Sequence, residues 1–353
     1  MSYPEWEVIR DNLFDTKEVP MMNADTPTFM RRDLAKTPQD LEGADVVIIG
    51  SSYVSSTEDM FWGNKTEEWA AAAQRVRQQS SRYFSGYIAD FDLDVFDHLK
   101  VVDYGNAEFD REAFTEMTYE SIIEAQQGVE KKVNDALDVG AVPIVIGQNS
   151  PCASYAIAKP IAERTDGNVG VISLDTHWDI EPLDEWTKDP RLAGAASWKA
   201  KMYEFHENMK IKNLIEIGER GMLEYKDTIR NFLNQGVKFY PMWKVRRIGI
   251  EKLCEGLSPA YDGTEAVYAH FDMDVLGGAG PAPGDLLGEM AEPIGMSDYE
   301  VIRLGYEIGR RGLMGLSFLC IPPGSFVTYR VIVYVIMYLL AGMVESGKYG
   351  GDK

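Results

Sequence analysis

Cysteine and histidine are scarce in this chain, with three and four residues respectively among 353. Cys152, Cys254 and Cys320 form no CxxC pair and leave an odd number, which points to a reducing cytoplasm rather than a disulfide framework. Positive charge is also in deficit. Lys and Arg number 35 against 56 Asp and Glu, for a net charge of −21. Such a surface repels phosphate backbones, so nucleic acid is not an expected partner. Long apolar runs are missing too. The most membrane-like stretch, 331–344, has 14 residues and follows Arg330; a span needs about 20. A buried helix is expected there, with no membrane partner. The opening segment "MSYPEWEVIRDNLF" lacks a basic region followed by an apolar run, so no signal peptide is expected. No internal repeat, low-complexity tract or interdomain linker is evident.

Apolar residues make up 45% of the chain, enough for a substantial core. Short β-branched runs recur, among them "DVVIIG" (45–50), "AVPIVIG" (141–147), "VGVISLD" (169–175) and "AVYAHFDMDV" (266–275). Helical patterns lie between them, over 66–84, 111–137, 222–233 and 327–345. This alternation predicts an α/β fold of three layers, helices on both faces of a parallel, roughly eight-stranded sheet. Residues 1–43, rich in Asp, Pro and Met, read as an N-terminal arm that wraps the domain or a neighbouring subunit, and 44–353 as one domain.

Two acidic clusters close two of the apolar runs. "SLDTHWDIEP" places Asp175, His177 and Asp179 at alternate positions. A straight strand would spread them over roughly 13 Å, so to share a centre the chain must curl away just after Asp175. In "AHFDMDV", Asp272 and Asp274 are two apart and share a face. A Gly/Pro loop, "LGGAGPAPGD", follows. Ligand sites of doubly wound sheets gather at these strand ends. Four carboxylates brought together without a cation would repel one another. An oxygen-rich set with imidazole suits manganese, nickel or iron better than structural zinc. Singly, each aspartate also reads as a cap or turn residue, and His177 as a hydrogen-bonded structural histidine. The coincidence of two clusters favours metal. His270, two residues before Asp272 and roughly 6.6 Å deeper, reads as a core histidine, with an unusual ligand or base as the alternative. Cys152 reads as a buried small residue.

These residues resemble the ureohydrolase family of arginases, agmatinases and guanidinobutyrases, whose signature is GGDHS, then DAHxD, then DxDxxDP with an APG-type loop. "DTHWD" stands for the second motif and "DMDVLGGAGPAPG" for the third. "VVDYGNAEFD", "EIGERG" and "AEPIGMS" resemble further family segments, so that the likeness runs from about Val46 onward. The resemblance implies an arginase-like fold and a two-metal centre. Asp175 and Asp272 would bridge, His177 and Asp274 would complete one metal, and Asp179 would serve the other.

The same comparison exposes departures. GGDHS reads "IGQNS", so Asn149 stands at the sixth ligand, where an amide is a poorer donor than imidazole. Gly194 in "LAGAASWK" stands at the family's proton-transferring His, and Leu319 or Cys320 in "LSFLCIPPG" at the Glu that binds a guanidinium. Gly277 replaces the last Asp of DxDxxDP. An apolar residue cannot pair with a planar cation. Together these imply one divalent ion, nickel or manganese, or none in this chain. They also imply a catalytically impaired partner of a paralogous ureohydrolase subunit in a trimeric or hexameric hetero-oligomer. That arrangement resembles the nickel-dependent metformin hydrolases, which act on a biguanide. A self-sufficient dinuclear hydrolase of an unusual guanidino or amide substrate is the second expectation, and a non-enzymatic metal or ligand binding scaffold the third.

Overall fold

The computed structural model describes residues 19–54, 67–109, 119–148, 151–185, 187–220, 222, 224–278 and 292–350. Nine strands build one wholly parallel sheet. In chain order they are β1 (Asp33–Leu34), β2 (Val46–Gly50), β3 (Val101–Asn106), β4 (Val142–Ile146), β5 (Asn168–Leu174), β6 (Met209–Ile217), β7 (Lys238–Tyr240), β8 (Thr264–Asp272) and β9 (Gly315–Leu319). Across the sheet the order is β7-β6-β5-β8-β9-β4-β2-β3-β1. The strand beyond the expected eight is β1, which pairs with β3 at the edge. Two residues are too few to carry a period, and these sit within the segment read as an arm. Of that arm, Phe29 and Met30 are buried in the core; residues 1–18 lie outside the described set.

Alternation within each strand divides the core. Val46 and Ile48 face one helical layer, Val47 and Ile49 the other. The first layer holds α1 (Ala72–Ser80), α5 (Asp298–Arg311) and α6 (Phe326–Ser346), and the second α2 (Tyr119–Asp138), α3 (Ala156–Arg164) and α4 (Trp198–Phe205). The apolar run at 331–344 lies within the 21-residue α6. That helix is long and apolar enough to cross a membrane, but 72% of its most apolar window is buried inside the protein. Ser325 caps its start by accepting from the Thr328 amide, and Gly347 leaves it at φ 64°. It lies almost backbone to backbone against α5. A Cβ on Gly309 would meet the Leu339 carbonyl oxygen at 2.1 Å, and one on Gly342 the Tyr306 carbonyl oxygen at 2.2 Å.

On the same side of the sheet an ion pair is sealed from water. Arg77 of α1 donates from Nε to Asp103 Oδ2 at 2.8 Å and from Nη2 to Asp103 Oδ1 at 2.9 Å, with both side chains fully buried. The Phe29 amide donates to the same carboxylate at 2.7 Å, tying the 19–43 segment to β3. Arg77→Ala strands a buried carboxylate, so urea unfolding should show a loss of about 3–5 kcal/mol. A loss below about 1 kcal/mol would place the pair among exposed ones, contrary to its burial.

Sheet order also explains why two distant clusters meet. After β4 the chain skips across the sheet to β5, and β8 and β9 later fill the gap. β5 and β8 therefore become neighbours, with Phe271 opposite Leu174. Asp272 and Asp175 follow side by side at the carboxyl ends.

A candidate metal centre

Asp175 is the first residue past β5, and the chain curls there as expected. The His177 amide donates to Asp175 Oδ1 at 2.7 Å, folding the loop back on its own carboxylate, and Asp179 takes φ 48°, a left-handed conformation unusual for aspartate. At the end of β8 the Asp274 amide donates to Asp272 Oδ1 at 3.0 Å. The two loops lock together where the Thr176 amide donates to Asp274 Oδ1 at 3.1 Å. Arg220, from the "EIGERG" segment, clamps both, donating to Thr176 Oγ1 at 2.6 Å and to the Asp274 carbonyl at 2.7 Å.

Among the described residues the result is two groups of three donor atoms that share Asp175. Asp175, His177 and Asp274 each offer an atom within 4.8 Å of the others, as do Asp175, His270 and Asp272. His177 Nδ1 lies 3.2 Å from Asp274 Oδ2, and His270 Nε2 lies 3.6 Å from Asp175 Oδ2. Among the described residues, His177 Nε2 and His270 Nε2 are buried and make no hydrogen bond. Buried polar atoms without a partner are rare and call for an explanation. For His270 Nε2, which faces Asp175, a divalent cation supplies one, and the carboxylate-imidazole set fits manganese or nickel. Asp179 belongs to neither group; its Oδ2 accepts from Trp198 Nε1 at 3.1 Å.

Crowding without a cation strains the acid groups. Burial, then repulsion from Asp175, pushes Asp179 up to about 7 against the pull of Lys199. Burial and the Asp274 and Asp175 charges hold Asp272 well above the usual carboxylate range. Burial opposes charge on His177, but Asp274 outweighs it and lifts the imidazole to about 11. Burial likewise raises Asp274, and the His177 charge overrides it, holding that carboxyl down to about 2.

Two participants were not foreseen from the sequence. Lys199 of α4 is fully buried, with Nζ 3.4 Å from Asp175 Oδ2 and 3.0 Å from Glu216 Oε1. Burial works against its charge, yet Glu216 and Asp175 raise its pKa above the lysine norm. Burial pushes Glu216 up to about 8, opposed by Lys199. Glu216 was visible as an acid between Ile215 and Ile217 in a buried strand, a position that requires a cationic partner; nothing marked Lys199 as that partner. His270 was weighed as a core residue. It is fully buried, but it turns its free nitrogen toward Asp175.

The departures fall as follows. Asn149 lies outside the described residues, as do residues 279–291, which include the Gly/Pro loop from 279 to 285. Gly194 is buried in the loop before α4, five residues from Lys199. Leu319 ends β9 in register with Asp272 and is fully buried. Cys320, at φ 49°, is held well above the thiol range by burial and by Asp272.

The sequence profile of the arginase family matches residues 44–340. This chain belongs to the arginase family. Among curated arginase-family proteins, a formimidoylglutamase from Streptococcus pyogenes serotype M12 is 23% identical over 235 residues, 64% of this chain and 68% of that one. The fold matches a proclavaminate amidino hydrolase from Streptomyces clavuligerus with a TM-score of 0.73 and 20% identity, covering 92% of this chain and 98% of the other. It also matches a Trypanosoma cruzi formiminoglutamase solved with Mn2+, TM-score 0.68 and 22% identity, over 90% and 99% of the two chains. The expected arginase-like parallel sheet is thus shown.

Proposed function

We propose that this arginase-family chain serves hydrolysis of a C–N bond in a linear amidine, a guanidine or biguanide, as the catalytically impaired partner of a paralogous subunit in the cytoplasm. The observation that carries this reading is the filling of the site. Lys199 and Glu216 crowd one side of Asp175. Leu319 leaves no carboxylate at the tip of β9 for a substrate cation, and Gly194 leaves no proton carrier before α4. The names of the relatives, formimidoylglutamase and amidino hydrolase, support an amidine carbon as the reacting centre.

Asp175, His177 and Asp274 would hold the ion. A divalent metal there would act as a Lewis acid and acidify bound water. Arg220 keeps the two loops in place, and Trp178, within the 175–179 loop, is fully buried and packs edge-on against Phe239.

Expressed alone with manganese or nickel, the chain should turn over guanidines and biguanides at least about a hundredfold more slowly than when mixed with a paralogue carrying an intact GGDHS segment, since a positioned acid-base group contributes about 10²–10⁴-fold. Ammonia or amine release measures both. Full turnover by the isolated chain would sink this proposal in favour of a self-sufficient hydrolase, the reading that the imidazole of His270 beside Asp175 favours.

A further inference from the structure

The acidic cluster already contains a cation of its own. Lys199 Nζ is shut away from water between Asp175 Oδ2 at 3.4 Å and Glu216 Oε1 at 3.0 Å. Its backbone is pinned to the ligand loop as well. The Lys199 amide donates to the Asp179 carbonyl at 3.3 Å, and the neighbouring Trp198 indole donates to the Asp179 carboxylate at 3.1 Å. The start of α4 is therefore tied to the 175–179 loop at two points, and the ammonium is held beside it, out of contact with water.

His270 addresses the same oxygen from below, with Nε2 3.6 Å from Asp175 Oδ2. Its other nitrogen, Nδ1, is engaged by Ser154 Oγ at 3.0 Å, which fixes the ring with Nε2 facing the cluster. Nε2 is fully buried and makes no hydrogen bond among the described residues. Asp175, His270 and Asp272 thus form a three-donor position whose shared oxygen is already in contact with an ammonium. An ammonium and a divalent ion against one carboxylate oxygen repel each other strongly where little water screens them.

We propose that Lys199 is a built-in substitute for one of two metal ions: its ammonium closes the Asp175–His270–Asp272 position, and the chain takes a divalent ion only at Asp175, His177 and Asp274. The inference rests on the reading of the cluster as a ureohydrolase-type metal centre. It adds that the limit on metal content comes from a side chain and not from a missing ligand.

Metal content of the full chain, loaded with Mn2+ and freed of excess, tests it by plasma emission spectrometry. The wild type should hold about one ion and Lys199→Met about two, because removing the resident charge opens the second position, and Lys199→Met/His270→Ala should fall back to about one. Lys199→Arg, which keeps the charge, should stay at about one. Lys199→Met alone leaves Glu216 buried without a partner, so Lys199→Met/Glu216→Leu is made beside it; replacing both members of the pair with apolar side chains spares the fold and should also give about two. Two ions in the wild type, or one in every variant, overturns the role of Lys199. No ion in any of them overturns the metal reading of the cluster, a distinct result.

Discussion

Stripped of metal, the protein should melt at a higher temperature near about pH 6.5 than near about pH 8. Unfolded carboxyls titrate near about 4, whereas Asp179 and Glu216 in the fold are pushed up to about 7 and about 8. The folded chain therefore holds protons through this window that the unfolded chain has released. Stability then falls as pH rises through the folded values. His177 acts in the same direction. Its folded pKa of about 11 exceeds the unfolded value, so its contribution is complete below about 6.5 and is lost as pH rises toward 11. Asp274, depressed to about 2, contributes above the unfolded carboxyl value and is lost only as pH falls toward 2, outside the window. His206 and His270, whose pKa burial lowers, oppose the trend below and around about 6.5, at the lower edge of the window. Each extra proton held is worth on the order of 1.4 kcal/mol per pH unit, so a shift of several degrees is expected by scanning fluorimetry in chelator. With manganese present the ion replaces those protons, and the slope should flatten. A metal-free protein whose melting point is unchanged across the window, or a metal-loaded one with the same slope, would contradict the cluster described here.

The second large effect is loss of the ion itself. Asp175 belongs to both donor groups and is the oxygen toward which Lys199 and His270 converge. Asp175→Asn keeps the volume but replaces a charged acceptor with an amide that also donates. Manganese or nickel affinity should drop more than about a hundredfold by calorimetry, beyond the 10–100-fold that changes to outer-shell partners cost. Asp138→Asn, at the exposed end of α2, should leave affinity unchanged. Equal binding by Asp175→Asn and wild type would remove the strand-tip aspartates from the metal centre.

Much of the architecture was legible. Eight β-branched runs became eight strands because fully buried parallel strands need continuous apolar runs, a pattern that survives without tertiary context. The acids that close the apolar runs were legible, but their grouping was not: β8 stops at Asp272 and Asp274 lies in the 3-10 turn beyond it, so a straight-strand face does not place the two together, and Asp179 joins neither donor group. What could not be read depends on sheet order. That β8 lies against β5 rather than near β7 is a property of the assembled sheet and of no local stretch of sequence, and only this adjacency lets His270 and Asp175 meet. Lys199 was hidden for a similar reason: a lysine on a short helix after a loop reads as solvated until β6 brings Glu216 beneath it. The short edge strand β1 escaped because two residues carry no pattern.

The close seating of α6 bears on how the protein is made. Arg330 of α6 donates to Gln79 of α1 at 3.0 Å, 251 positions earlier, and Tyr334 packs edge-on against Tyr83. The apolar side of α1 and of the first strands therefore waits, during synthesis, for a helix that emerges some 250 residues later. Contacts so remote in sequence slow folding and leave greasy surface open to aggregation in the meantime. Nascent chains of this protein should accordingly depend on chaperone shielding, whether or not any ion is at hand.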